Sequence, residues 1–67
     1  MWVARDKDDV LNLYTASTKP WRAKVEIDNE IVEYWDNDGE CIEIDGSLFP
    51  DLKWDHEPLE VEITLKN

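Results

Sequence analysis

From residue 59 to residue 66 apolar and polar side chains alternate without a fault: Leu59, Val61, Ile63 and Leu65 fall on one side, Glu60, Glu62, Thr64 and Lys66 on the other. A period of two is that of a pleated strand with one dry face and one wet face. The stretch therefore predicts a β-strand whose four aliphatics need cover from partner strands and a second apolar layer. Two shorter apolar runs near the start supply candidates for that cover. Residues 2–5 and 10–14 flank Asp6-Lys7-Asp8-Asp9, which has the composition of a hairpin loop. A four-residue loop pairs Arg5 with Val10, Ala4 with Leu11 and Trp2 with Leu13, and so gathers Trp2, Ala4, Leu11 and Leu13 on one apolar face. The expected core joins that face to Leu59, Val61, Ile63 and Leu65. Asp9 falls where such loops often need a left-handed residue, a conformation that Asp tolerates less well than Gly.

Further along, Lys19 is steered away from helix by Pro20, and Trp21 is expected to plug the core. Residues 23–27 and 30–35 read as two strands joined tightly at Asp28-Asn29, both of which accept turn geometry. Asp38-Gly39 signals another hairpin, leading into residues 40–44. In that pairing Ile31, Glu33 and Trp35 share a face with Ile42 and Ile44, while Val32 and Tyr34 share the other with Cys41 and Glu43. Both faces are mixed, which suggests a curled sheet. Asp45-Gly46-Ser47 breaks the strand. Leu48-Phe49-Pro50 is expected to form one helical turn or a loop plug that drops Leu48 and Phe49 onto the core, and Pro58 to start an edge strand where a missing N–H costs least. The expectation is an all-β fold: residues 1–67 as one domain, a single small antiparallel sheet of five or six short strands, curled or partly closed, with at most one short helical turn.

Composition narrows the class. Apolar residues make up 42% of the 67, with four Trp among the aromatics, which suits a compact fold better than a disordered chain. Cys41 is alone, so no intrachain disulfide can form, and the expected setting is a reducing, cytoplasmic one. No run approaches the ~18 apolar residues of a membrane span, and Met1 to Asp6 has no signal-peptide core. The chain as written is expected to be soluble, unprocessed and without membrane contact.

A set of short motifs runs through both ends of the chain. Trp2 to Asp6 gives a Trp-x-Ala-Arg-Asp start, Leu11 to Tyr14 a Leu-x-Leu-Tyr strand, and Pro20, Phe49-Pro50, Trp54 and the acidic aliphatic stretch from Glu57 to Leu65 follow. In these pieces the chain resembles the short uncharacterised proteins found in gut Bacteroidales and their phages or mobile elements. The resemblance brings no assigned activity and no catalytic residues. The chain departs from it in having Asp9 where those proteins often carry Gly, and in a longer stretch between Val25 and Asp45.

Charge changes the picture most. There are 17 acidic residues against 7 basic ones, a formal net charge of −10. The imbalance lies wholly between Val25 and Leu52, a stretch rich in Asp and Glu and free of Lys and Arg. Such a block repels itself, so it serves solubility or meets a partner that wants negative charge. Glu26, Asp28, Glu30, Asp36, Asp38 and Glu40 are the candidate acidic interaction surface, expected to project from the central strands and turns on one solvated side.

Other chemistry is thin. Asp36-Asn37-Asp38-Gly39 has the opening of a calcium loop but lacks the later Glu, and a hairpin turn explains each residue. His56, the only histidine, has no ligand partner at zinc spacing. Cys41 and His56 could form a nucleophile and base, but a mid-strand Cys in so short a chain reads as a packed hydrophobe, and no enzyme activity or cofactor is expected. Base stacking on Trp or Tyr needs a basic groove, so direct nucleic-acid binding is disfavoured. The leading expectation is a non-catalytic protein-interaction module that meets a protein partner, or a second copy of itself, through a strand edge. The alternative is an acidic nucleic-acid mimic that blocks a basic nucleic-acid-handling protein; a carbohydrate-binding module through exposed Trp stands third.

Overall fold

Among the described residues six strands form close to where the turn signals place them: β1 (Trp2–Arg5), β2 (Leu11–Tyr14), β3 (Trp21–Ile27), β4 (Glu30–Asp36), β5 (Cys41–Ile44) and β6 (Leu59–Glu60). The computed structural model describes residues 1–62, and among these there is no helix, hence none long and apolar enough to cross a membrane. All pairings are antiparallel, but the strands make two sheets where one was expected. Four strands run in the order β5-β2-β1-β6, and β3 pairs with β4 alone as a separate two-stranded ribbon. Among the described residues neither sheet closes.

The first hairpin shows how one residue decides a core. Asp9 N–H donates to Asp6 C=O at 3.0 Å and Asp6 N–H to Val10 C=O at 2.9 Å, with Asp9 left-handed at φ 69°. This is a tight turn followed by a one-residue bulge at Asp9. The bulge aligns Asp6 with Val10, so Arg5 pairs with Leu11, Val3 with Leu13 and Trp2 with Tyr14. That register is one residue away from the expected one, and a slip of one turns every side chain to the opposite face. Val3, Arg5, Leu11 and Leu13 therefore share one face, and Trp2, Ala4, Asn12 and Tyr14 the other.

Each face has its own cover. On the first, Val3, Leu11 and Leu52 are buried together, with Leu13, Ile44 and Val61 packed against them. β6 is only two residues long and Leu59 is 44% exposed, so of the described part of the expected aliphatic row Val61 alone packs here; Ile63 and Leu65 lie outside the described residues. Leu52 fills the place expected for Leu48 and Phe49, which both point outward. The reason is Arg5, which the corrected register buries on this face. Its guanidinium donates to the carbonyls of Asp9 (2.9 Å), Gly46, Leu48 and Phe49 (3.2 Å each) and Leu52. Winding the 46–52 loop around one cation turns its carbonyls inward and its side chains out, and puts Phe49 at φ 51°, an unusual angle for a bulky residue.

On the second face Ala4, Tyr14 and Trp35 are buried together, flanked by Trp2 and Trp54. Trp35 comes from the ribbon and is its anchor. Trp21, the expected core plug, is 42% exposed.

The link from β4 to β5 is a second correction. Asp38-Gly39 does not close a hairpin: β5 pairs with β2, from Leu11↔Ile44 to Tyr14↔Cys41. Gly39 has no positive φ, so it is not there for turn geometry. A Cβ on it would lie 2.7 Å from the Ala16 backbone nitrogen and 2.9 Å from Thr15 Oγ1. The glycine lets two backbones touch where the chain passes from the ribbon to the sheet. Buried Asn37 holds the same crossing by donating to Thr18 C=O and accepting from Gly39 N–H at 2.7 Å.

Candidate functional site

The ribbon's local sequence explains why it forms. Asp28 and Asn29 both have positive φ, 51° and 66°, which is the two-residue turn that matches strand twist. Val25, Ile27, Ile31 and Val32 on either side favour extended backbone. The ladder runs from Ile27↔Glu30 at the tip to Trp21↔Asp36 at the base. One face of the ribbon carries Trp21, Ala23, Val25, Ile27, Val32 and Tyr34 with Glu30 and Asp36; the other carries Arg22, Lys24, Glu26, Ile31, Glu33 and Trp35.

The ladder also fixes which backbone groups are spare. Antiparallel partners alternate between pairs that exchange both hydrogen bonds and pairs that exchange none, starting from the bonded pair at a two-residue turn. Ile27–Glu30, Val25–Val32, Ala23–Tyr34 and Trp21–Asp36 are thus bonded to each other. The N–H and C=O of Arg22, Lys24 and Glu26 point out from β3, and those of Ile31, Glu33 and Trp35 out from β4. Trp35 bears this out, because its N–H donates to Asp6 Oδ1 and its C=O accepts from Tyr14 Oη, each at 3.2 Å.

Those bonds belong to a packed base. Arg22 lies 4.9 Å from the Trp35 ring centroid and 4.4 Å from that of Trp54, and donates to Trp54 C=O at 2.7 Å. Trp35 and Trp54 meet edge to face at 5.8 Å, and Trp35 Nε1 donates to Arg5 C=O at 3.2 Å. Beyond the base the ribbon loses its cover. Val25 and Val32 are exposed, Ile27 is 53% exposed and Ile31 69%.

Alongside β4 runs a groove of about 340 Å³, with Asp6, Lys7 and Asp8 of the first hairpin loop on one wall and residues 31–34 on the other. Burial pushes the Asp6 carboxyl above the usual carboxylate range and the charge of Asp8 adds to the rise; the Trp35 N–H and the Asn12 amide, which donates at 2.9 Å, pull the other way.

The six candidate carboxylates divide between two places. Glu26, Asp28 and Glu30 sit at the ribbon tip, with Glu26 and Glu30 on opposite faces, while Asp36, Asp38 and Glu40 lie at the base and on the crossing to β5. Six residues of strand, ~20 Å, separate Glu30 from Asp36. Asp36 Oδ1 accepts from Asn37 N–H at 2.8 Å and Asn37 Oδ1 from Gly39 N–H, so one oxygen of each serves the crossing itself.

Cys41 opens β5 at one edge of the sheet, and His56 lies in the turn before β6 at the other. Cys41 is exposed rather than the packed hydrophobe expected, since β5 is an edge strand; partial desolvation still raises its thiol above the ordinary value, with Asp6 and Asp36 adding and a Tyr14 hydrogen bond opposing, which keeps it protonated and weakly nucleophilic. His56 Nδ1 accepts from Lys53 N–H at 3.3 Å and caps its turn. Of the four Trp, Trp21 alone is exposed, above a groove of about 470 Å³ lined by Lys19, Arg22 and His56 among others.

The sequence pointed to the ribbon's strands and turn but not to its isolation, because the alternation of Val25, Ile27 and Val32 reads the same whether the face is covered or bare. Asp6 and Arg5 were missed as organising residues; the signal was Asp9, whose bulge places both. A scan against protein-family models and searches of curated proteins and solved structures found no match to the chain, so the likeness to short Bacteroidales and phage proteins rests on its short motifs alone.

Proposed function

We infer that the chain is a non-catalytic protein-interaction module that docks through the β3–β4 ribbon. The observation that carries this reading is the ribbon's apolar face, where Trp21, Val25, Ile27 and Val32 stand exposed on a sheet only two strands wide. An isolated two-stranded ribbon is marginal in water, and an uncovered apolar face is what a partner surface buries. Glu30 shares that face and Asp28 lies at its tip, which suits a partner with a basic rim. A second copy of the chain suits it less, since two bodies of net charge −10 repel. The division of the six carboxylates between two ends and two faces weighs against the nucleic-acid mimic, which needs a continuous line of charge. One exposed Trp weighs against a sugar-stacking platform.

The test compares proteins retained by the immobilised chain with those retained by a Val25→Thr, Val32→Thr variant, using Leu48→Ser as a control on the other side of the molecule. Circular dichroism checks that each variant is folded. Species bound by the parent and by Leu48→Ser should be lost from the ribbon variant. Retention of the same species by all three would sink the reading.

A further inference from the structure

We propose that the groove between the β4 edge and the first hairpin loop takes an extended peptide segment bearing lysine or arginine, which adds to the ribbon as a third strand. The proposal rests on the ribbon being the docking arm and names the edge used and the chemistry of the occupant.

Three observations converge on this edge. The N–H and C=O groups of Ile31 and Glu33 point away from β3, and among the described residues they have no hydrogen-bond partner. Strand addition satisfies such a row directly. Pairing must stop at Trp35, because Asp6 and Tyr14 already occupy its outward groups. An added strand therefore spans Ile31 and Glu33 and runs on past the ribbon tip.

The second observation is apolar. Ile31 is the most exposed large aliphatic of the ribbon at 69%, and Val32 and Tyr34 line the same groove. A strand laid there extends the bare face containing Val32 and covers Ile31 on the opposite one. The third is charge: Asp6, Asp8 and Glu33 rim the groove, and Lys7, the one cation lining it among the described residues, lies 5.7 Å from the Trp54 ring centroid. A cation entering between these carboxylates relieves the repulsion between Asp6 and Asp8. The outer edge of β3 offers more spare backbone groups, those of Arg22, Lys24 and Glu26, but carries the cations Arg22 and Lys24, so a basic segment is directed to β4.

The experiment uses the full chain, isotope-labelled, and a synthetic peptide of about eight residues, a common strand length, alternating valine with lysine. Two companions are the same peptide with glutamate for lysine and the lysine peptide N-methylated at alternate residues. The lysine peptide should bind and slow amide exchange at Ile31 and Glu33 by about tenfold, leaving Arg22, Lys24 and Glu26 unchanged. The glutamate and N-methylated peptides should do neither. Glu33→Gln with Asp8→Asn should weaken binding about fivefold, as loss of exposed ion pairs does. Ile31→Pro removes an outward N–H without touching the ribbon's own ladder and should abolish protection at Glu33.

Protection at Arg22, Lys24 and Glu26 would overturn the choice of edge while leaving the ribbon as the docking arm. Equal binding by the N-methylated peptide would overturn strand addition, again without touching that broader reading. No binding by the lysine peptide would overturn the proposal, and failure of the broader reading shows separately, in unchanged retention by the Val25→Thr, Val32→Thr variant.

Discussion

The four-stranded sheet and the ribbon invert the usual relation between strand length and burial. The sheet's strands run two to four residues, yet both faces of its central strands β1 and β2 are covered, one by Leu52 and the Arg5-centred loop, the other by Trp35 and Trp54, with Ile42 and Leu59 exposed only on the edge strands. The ribbon's strands run seven residues each and are bare past their base. The difference lies in where the stabilisation comes from. The sheet depends on contacts between residues far apart in sequence, as when Arg5 reaches Leu52, 47 positions on. The ribbon depends on a two-residue turn and on neighbours across a local ladder. A region organised by local contacts can leave its apolar face available; one organised by distant contacts cannot.

The sharpest way to break this comparison is to remove one aliphatic from each region. Leu11 is fully buried, so Leu11→Ala should cost about 2–5 kcal/mol, a large share of the stability of so short a chain. Ile27→Ala, at the bare end, should cost less than about 1 kcal/mol. Urea denaturation of the two variants measures both. Comparable losses would mean that the ribbon tip is held by the body after all.

A smaller effect sharpens the boundary between the regions. Asn29 sits at φ 66°, and Asn29→Gly should relieve about 1 kcal/mol of left-handed backbone cost. Amide exchange at Val25 and Val32 should slow, with exchange at Val3 and Leu13 unchanged. Equal slowing in both regions would show that they open as one unit.

The smallest effect is a pH dependence at their contact. Asp6 holds the ribbon through Trp35, and burial raises its folded-state value above the ordinary 3.8. The native state therefore takes up this proton before the unfolded chain does. The Asp6 contribution to stability grows as pH falls from the raised value toward 3.8 and is lost again as pH rises through that window. Asp6→Asn should flatten this part of the stability profile, whatever it does to the absolute value; an unchanged slope would remove Asp6 as its source.

How much of this was legible in the sequence varied with how local the cause was. The Asp28-Asn29 turn, the strands beside it and the left-handed Asp9 could all be read from residue types. The first hairpin's faces could not, since a bulge at Asp9 and a plain four-residue loop have the same sequence and opposite consequences. Asp38-Gly39 misled because glycine before a strand signals a turn and a close approach equally well. The groove beside β4 depends on Asp6 reaching across 29 positions to Trp35, which no local pattern announces.

That same Gly39 bears on how the chain tolerates change. It is exposed, and exposed positions ordinarily accept almost any residue, yet the neighbours its Cβ would meet include main chain, which has no rotamer to yield. In a saturation scan position 39 would stand with buried Leu11 and Val3 and apart from the surface around it. The joint between arm and body is thus guarded by the lack of a side chain, and drift at this one surface site is closed while the ribbon it serves remains open to variation.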